Sequence, residues 1–413
     1  MTVDITALQI LDSLRRQSEM RFGTPIKSTP EIVQEIDSIL RGMTNSNAEL
    51  LEFLDRKSAS LRDEERAWRL TQAHIEDELR LAGGMLNGIE KPLVGCLQTG
   101  QLNMVSMRTP SGGHLILVER DLDLFCWKLA KAVAYATYFE GQDVFPSFPI
   151  NAKDEAGGGI LGGFSALISG DNYNRRLDRI IEDPQFSRHF CDLIVTYAVT
   201  GDTRRVSGRP LDWRDSQDPV ILFRSMEYFL VGHEYGHLCC RHFDEANRRK
   251  GVLPCGEDEV YECGWKQEIQ ADFFGADIAL SLGGTHASPV REGVTGTFER
   301  EVPFHRRLTG VATFLMGIQT MDLAISVLET GSEEFRKLGT HPDPVLRLDW
   351  INKYVDRKAE ENPAFAEMVR AAIIGGRLYG QIIARMWDHV RPVVLDLHRQ
   401  GVRPAPTWRS NLK

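Results

Sequence analysis

Positive charge is not in excess in this chain. Its 413 residues carry 49 Lys and Arg against 58 Asp and Glu, a net charge of −9. That balance argues against the basic footprint of a nucleic-acid binder. Basic pairs such as Arg175–Arg176 and Arg204–Arg205 are short and lie near acids, so they read as solvated surface. Long apolar runs are also missing. The most apolar stretch, Leu308 to Met321, is closed by Arg307 and Asp322, short of the ~20 residues a bilayer crossing needs, so no membrane span is expected. No positively charged start precedes an apolar run at the N-terminus, so no secretory signal is expected. The 7 cysteines are odd in number and irregularly spaced, with no CxxC pair; reduced thiols in a cytoplasmic protein are expected. With 42% hydrophobic and 26% charged residues, the chain has the composition of an ordinary globular protein with material for a core, which excludes a disordered or collagen-like chain.

What is present is mostly helical periodicity. Residues 1–90 read as a helical N-terminal region: Ile32, Val33, Ile36, Ile39 and Leu40 recur at helical spacing, and Leu50, Leu51, Phe53, Leu54 and Leu61 continue in a charged background. Gly83–Gly84 punctuate its end. Between 91 and 120 the chain turns β-prone, with LVGCLQ, LNMVSMRTP and HLILVER separated by glycine-containing breaks. Strands with a turn near Gly112–Gly113 are predicted. Helices are predicted at 122–139, 182–199, 219–242, 264–282, 304–330, 344–357 and 363–398. The class is therefore α+β, mainly α, with a small sheet. The second domain is assigned to 91–413: a core of 91–140 and 216–357, an insertion at 141–215, and C-terminal helices at 358–413. The glycine-rich segment 157–163 lacks the Lys-Ser/Thr ending and the GxGxxG spacing of phosphate-cradling loops, and reads as a connector.

Chemistry concentrates in SMEYFLVGHEYGHLCCRHF, residues 225–243, which contains His233-Glu234-Tyr235-Gly236-His237. Two histidines four apart stand one above the other on a helix face, so both imidazoles reach one metal ion. Glu234 directly after the first reaches a water held there. A second segment, KQEIQADFFGADIAL, places Glu268 and Asp272 four apart on a largely apolar helix, where carboxylates need partners. Glu268 is the candidate third ligand of a site that keeps its fourth position open, as zinc hydrolases require. Asp272 is the candidate group that orients a ligand histidine through its other ring nitrogen. His242, five residues past His237, is off the ligand face and reads as structural or exposed. Cys239, Cys240, Cys255 and Cys263 lie near these helices and read as free thiols.

HExxH followed by ExxxD resembles the gluzincin metallopeptidases. The fuller ExxAD form is similar to the branch holding the CAAX-prenyl and HtpX-like peptidases. Gly339-Thr340-His341-Pro342-Asp343-Pro344 with Arg347 resembles a further segment of that branch, and residues 102–120 look like its edge strand. The resemblance implies a zincin-like catalytic domain binding Zn2+ through His233, His237 and Glu268. It also implies Glu234 as general base, and His341, Arg347 and Tyr235 as candidate donors to the developing oxyanion. Two departures stand out: those relatives are usually membrane-embedded, whereas no span is expected here, and the stretch from 121 to 217 between strands and HExxH helix is unusually long. The cytosolic phage-exclusion Lit-type peptidases are the soluble group it resembles. The implied activity is hydrolysis of a protein or peptide substrate, with no nucleic acid and no membrane span. A silent scaffold on a zincin fold and a zinc amidohydrolase of a small substrate are the alternatives. The N-terminal helices are expected to be a recognition or regulatory module.

Overall fold

The computed structural model describes residues 5–22, 68–69, 71–76, 79, 90–98, 102–109, 112–137, 178, 182, 184–206, 218–244, 249–252, 259–262, 264–281, 304–334, 342–361 and 363–405. In chain order the elements are α1 Ile5–Phe22, β1 Leu93–Leu97, β2 Met104–Arg108, β3 His114–Glu119, α2 Leu122–Thr137, α3 Pro184–Thr200, α4 Asp218–Cys239, β4 Arg249–Val252, β5 Glu259–Glu262, α5 Trp265–Ser281, α6 Phe304–Thr330, α7 Pro344–Glu361 and α8 Pro363–Arg399. The protein is mostly helical with a small three-stranded sheet, as the sequence predicts.

The sheet has the order β1-β3-β2, with β1 parallel and β2 antiparallel to the central β3. The β2–β3 turn is set by Gly112, at φ +96°, a conformation that suits glycine. Along β3 the side chains alternate between two cores. Leu115 and Leu117 pack with Leu11 and Leu14 of α1, while Ile116 and Val118 join the main helical core. A central strand covered on both faces reads as a continuous apolar run, which is why LILV stands in the sequence.

Helix punctuation follows local chemistry. Pro184, Pro344 and Pro363 open α3, α7 and α8, where a missing N–H leaves no intrahelical bond unmade. Asp343 caps α7 by accepting from the backbone N–H groups of Val345 (2.9 Å) and Leu346 (3.3 Å). Helix α4 lies at the centre, touching α2, α5 and α6.

The packing bears on several of these readings. The boundary at residue 90 does not separate two cores: Trp68, Ile75 and Leu79 lie in one core with Met226, Phe229 and Tyr235 of α4. Within the expected insertion, α3 is a core helix through Phe190, Leu193, Ile194 and Tyr197. The β4–β5 hairpin, antiparallel from Arg249↔Glu262 to Val252↔Glu259, was not predicted, because its strands have four residues each and little apolar alternation. Helix α6 reaches Thr330 as predicted, and Arg307–Thr330 is long and apolar enough to cross a membrane, with 72% of its most apolar window buried inside the protein. The predicted helical segments at 30–40 and 50–61 and the glycine-rich segment 157–163 lie outside the described residues.

Candidate metal centre

Helices α4 and α5 run antiparallel in backbone contact. A Cβ built on Gly236 would lie 2.8 Å from the Ala271 Cα, and one on Gly275 would lie 2.7 Å from the Phe229 carbonyl oxygen. This close approach lets Glu268, with its short side chain, reach across to the histidines of α4. His233 Nε2 and His237 Nε2 lie 3.1 Å apart, and the Glu268 carboxylate is 3.4 Å from the first and 3.7 Å from the second. All three residues are buried. A tetrahedral ion with bonds of about 2.0–2.1 Å holds its ligand atoms roughly 3.3–3.4 Å apart, so the group has the spacing to hold a metal ion.

The protonation pattern points the same way. His233 Nδ1 faces Asp272 Oδ1 at 2.9 Å. Burial opposes charge on Asp272, but the guanidinium of Arg347 and the His233 ring hold its carboxyl down at about 2. An ionised carboxylate only accepts, so His233 carries a hydrogen on Nδ1 and turns Nε2 toward His237. Arg347 grips Asp272 at both oxygens, with Nε to Oδ2 at 2.8 Å and Nη2 to Oδ1 at 2.6 Å. The converging atoms suit a cation. Burial would lower His233, but hydrogen bonds to Asp272 and Glu268 raise it to about 10, favouring the protonated ring in the metal-free protein. Glu234 is buried as well, and its charge acts on both His233 and Arg347.

Other expected residues fall elsewhere. Arg347 holds Asp272 through its side chain, and its backbone N–H bonds the Asp343 carbonyl. Tyr235 points away from the three ligands: its hydroxyl donates to Glu76 Oε1 at 2.5 Å and accepts from Gln72 Nε2 at 3.1 Å. It is a strut to the N-terminal residues and no oxyanion donor. His341, Cys255 and Cys263 lie outside the described residues. Cys240 is exposed; Cys239 is half-buried, and burial raises its thiol to about 12, which suppresses the reactive thiolate.

His242 is neither exposed nor remote. It is buried, with its Nδ1 2.9 Å from His237 Nδ1 and its Nε2 3.1 Å from Gln270 Oε1. The fold-back that brings it there begins at Arg241, whose φ is 55°. The Arg241 N–H bonds the Leu238 carbonyl and the His242 N–H bonds the His237 carbonyl, the paired bonds of a Schellman helix end. Helical spacing puts a residue at +5 off the face, but this helix end returns it to the +0 residue. The signal in the sequence was a third histidine just past the last helical turn.

No protein-family model, no curated protein and no solved structure matches this chain.

Proposed function

We propose that this protein is a soluble zinc-dependent endopeptidase acting on a protein or peptide substrate. The observation that carries the reading is the buried convergence of His233 Nε2, His237 Nε2 and the Glu268 carboxylate at 3.1–3.7 Å, with Glu234 in the same helical turn. Two imidazoles and one carboxylate are a donor set suited to zinc that leaves a fourth position for water or substrate. When bound, the ion supplies Lewis acidity, polarising a carbonyl and lowering the pKa of water toward ~7.

The chain's own residues do the rest. Glu234 takes a proton from the attacking water onto its carboxylate and delivers it to the departing amine nitrogen. Asp272 keeps His233 in the tautomer that presents Nε2, and Arg347 keeps Asp272 ionised. His341 is the remaining candidate for stabilising the oxyanion, on the motif resemblance alone. The same resemblance is the sole basis for a role in phage exclusion.

Elemental analysis of the purified full chain tests the reading. About one zinc per chain is expected for wild type, and close to none for Glu268→Ala. Glu234→Gln is expected to retain zinc and to lose about 10²–10⁴-fold of its hydrolysis of a quenched-fluorescent peptide library. No zinc in wild type would overturn the proposal and leave a scaffold on a helix pair.

A further inference from the structure

We infer that His242, backed by Gln270, is a positioning residue that fixes the tautomer of His237 and so completes the metal site. The inference rests on the metal reading above and concerns a residue outside the HExxH and ExxxD motifs.

The two ligand histidines are oriented by different chemistry. His233 is held by a carboxylate, Asp272, which is itself gripped by Arg347. His237 Nδ1 meets another imidazole nitrogen, Nδ1 of His242, at 2.9 Å. Two facing ring nitrogens bond only if one carries hydrogen and the other does not. Gln270 decides which. Its Oε1 lies 3.1 Å from His242 Nε2, and a carbonyl oxygen only accepts. With Gln270 accepting, His242 takes the Nε2–H tautomer with a bare Nδ1, the hydrogen between the rings belongs to His237, and His237 Nε2 is left to face the ligand position. That nitrogen is the one 3.1 Å from His233 Nε2. The relay thus runs from Gln270 through His242 to the ligand atom, and the Schellman turn at Arg241 exists at the spacing that seats it. Partners of this kind typically carry a 10–100-fold share of metal affinity.

Two measurements on the full chain test this. In the first, Zn2+ is titrated in competition with a fluorescent zinc chelator at fixed pH. His242→Asn keeps a carbonyl oxygen near the position of Nδ1 and is expected to bind within about threefold of wild type, whereas His242→Leu is expected to bind about 10–100-fold more weakly. Equal binding by wild type and Leu, or equal weakening by Asn and Leu, would overturn the inference while leaving the metal site standing. A wild type that binds no zinc would instead bring down the underlying reading. The second needs no variant: a long-range nitrogen–proton spectrum of the histidines in the zinc-loaded wild type is expected to show His242 protonated at Nε2 and His237 at Nδ1. His242 protonated at Nδ1 would overturn the relay.

Discussion

Asp272 is 1% exposed and ionised, a state the interior tolerates because Arg347 and His233 surround it. Removing one partner of such a pair strands the other as an uncompensated buried charge, at a cost of about 3–5 kcal/mol. Arg347→Met is expected to lower the denaturation midpoint accordingly, as followed by circular dichroism. The pH dependence has two arms. Asp272 is depressed from 3.8 to about 2, so its contribution is complete above about pH 4 and is lost as pH falls toward 2. His233 is raised from 6.5 to about 10 in the metal-free protein, so its contribution is complete below pH 6.5 and is lost as pH climbs to 10. Urea midpoints measured with EDTA are expected to decline over that alkaline range, and those measured with excess zinc to stay flat there. Because zinc must displace the His233 proton, its apparent affinity is expected to rise about tenfold per pH unit between pH 6 and 8; a pH-independent affinity would contradict this assignment of the proton.

At the scale of the elements, the α4–α5 contact decides whether Glu268 reaches the histidines. Gly236→Ala would press a methyl group against the Ala271 Cα, where neither helix backbone can yield cheaply. A loss of about 1–3 kcal/mol is expected, together with weakened zinc binding as the helices separate. Zinc titration and thermal denaturation of the same variant check both effects. The end of α4 carries a different strain. Helix α8 ends on the same pair of bonds, with Gly401 in the left-handed position at φ 86°, whereas α4 puts Arg241 there. A side chain in that conformation costs roughly 1 kcal/mol or more. Arg241→Gly is therefore expected to raise the denaturant midpoint while leaving zinc content unchanged.

Across the whole molecule, the N-terminal residues are part of the support for the candidate site. Gln72 and Glu76 bond Tyr235 between the two histidines of α4, Lys91 pairs with Glu76 at 2.6 Å, and Arg224 donates to Thr71 at 2.9 Å. Removing residues 1–85 would leave the buried Tyr235 hydroxyl and the Arg224–Glu227 pair short of partners, each loss costing about 1–3 kcal/mol. The truncated chain is expected to be insoluble or to bind no zinc, as judged by the soluble fraction and by elemental analysis. A truncated chain that folds and holds zinc would show instead that these residues are an appended module.

The sequence by itself determined most of the described helices and the spacings that bring His233, His237, Glu268 and Asp272 together. Apolar recurrence, the opening prolines and the four-residue spacings of His233–His237 and Glu268–Asp272 are local signals, and local signals survive without knowledge of what packs against them. Such signals decided that α6 runs from 304 to 330 and that a turn falls near Gly112–Gly113. Tertiary structure decided everything that depends on which face meets which neighbour. Tyr235 lies in the same motif as the ligands yet turns to Glu76. Arg347, expected among the oxyanion donors, grips Asp272, a contact between helices far apart in the chain. His242 looked misplaced by helical spacing and is returned to His237 by one left-handed residue, because periodicity describes a helix and says nothing about how the chain leaves it.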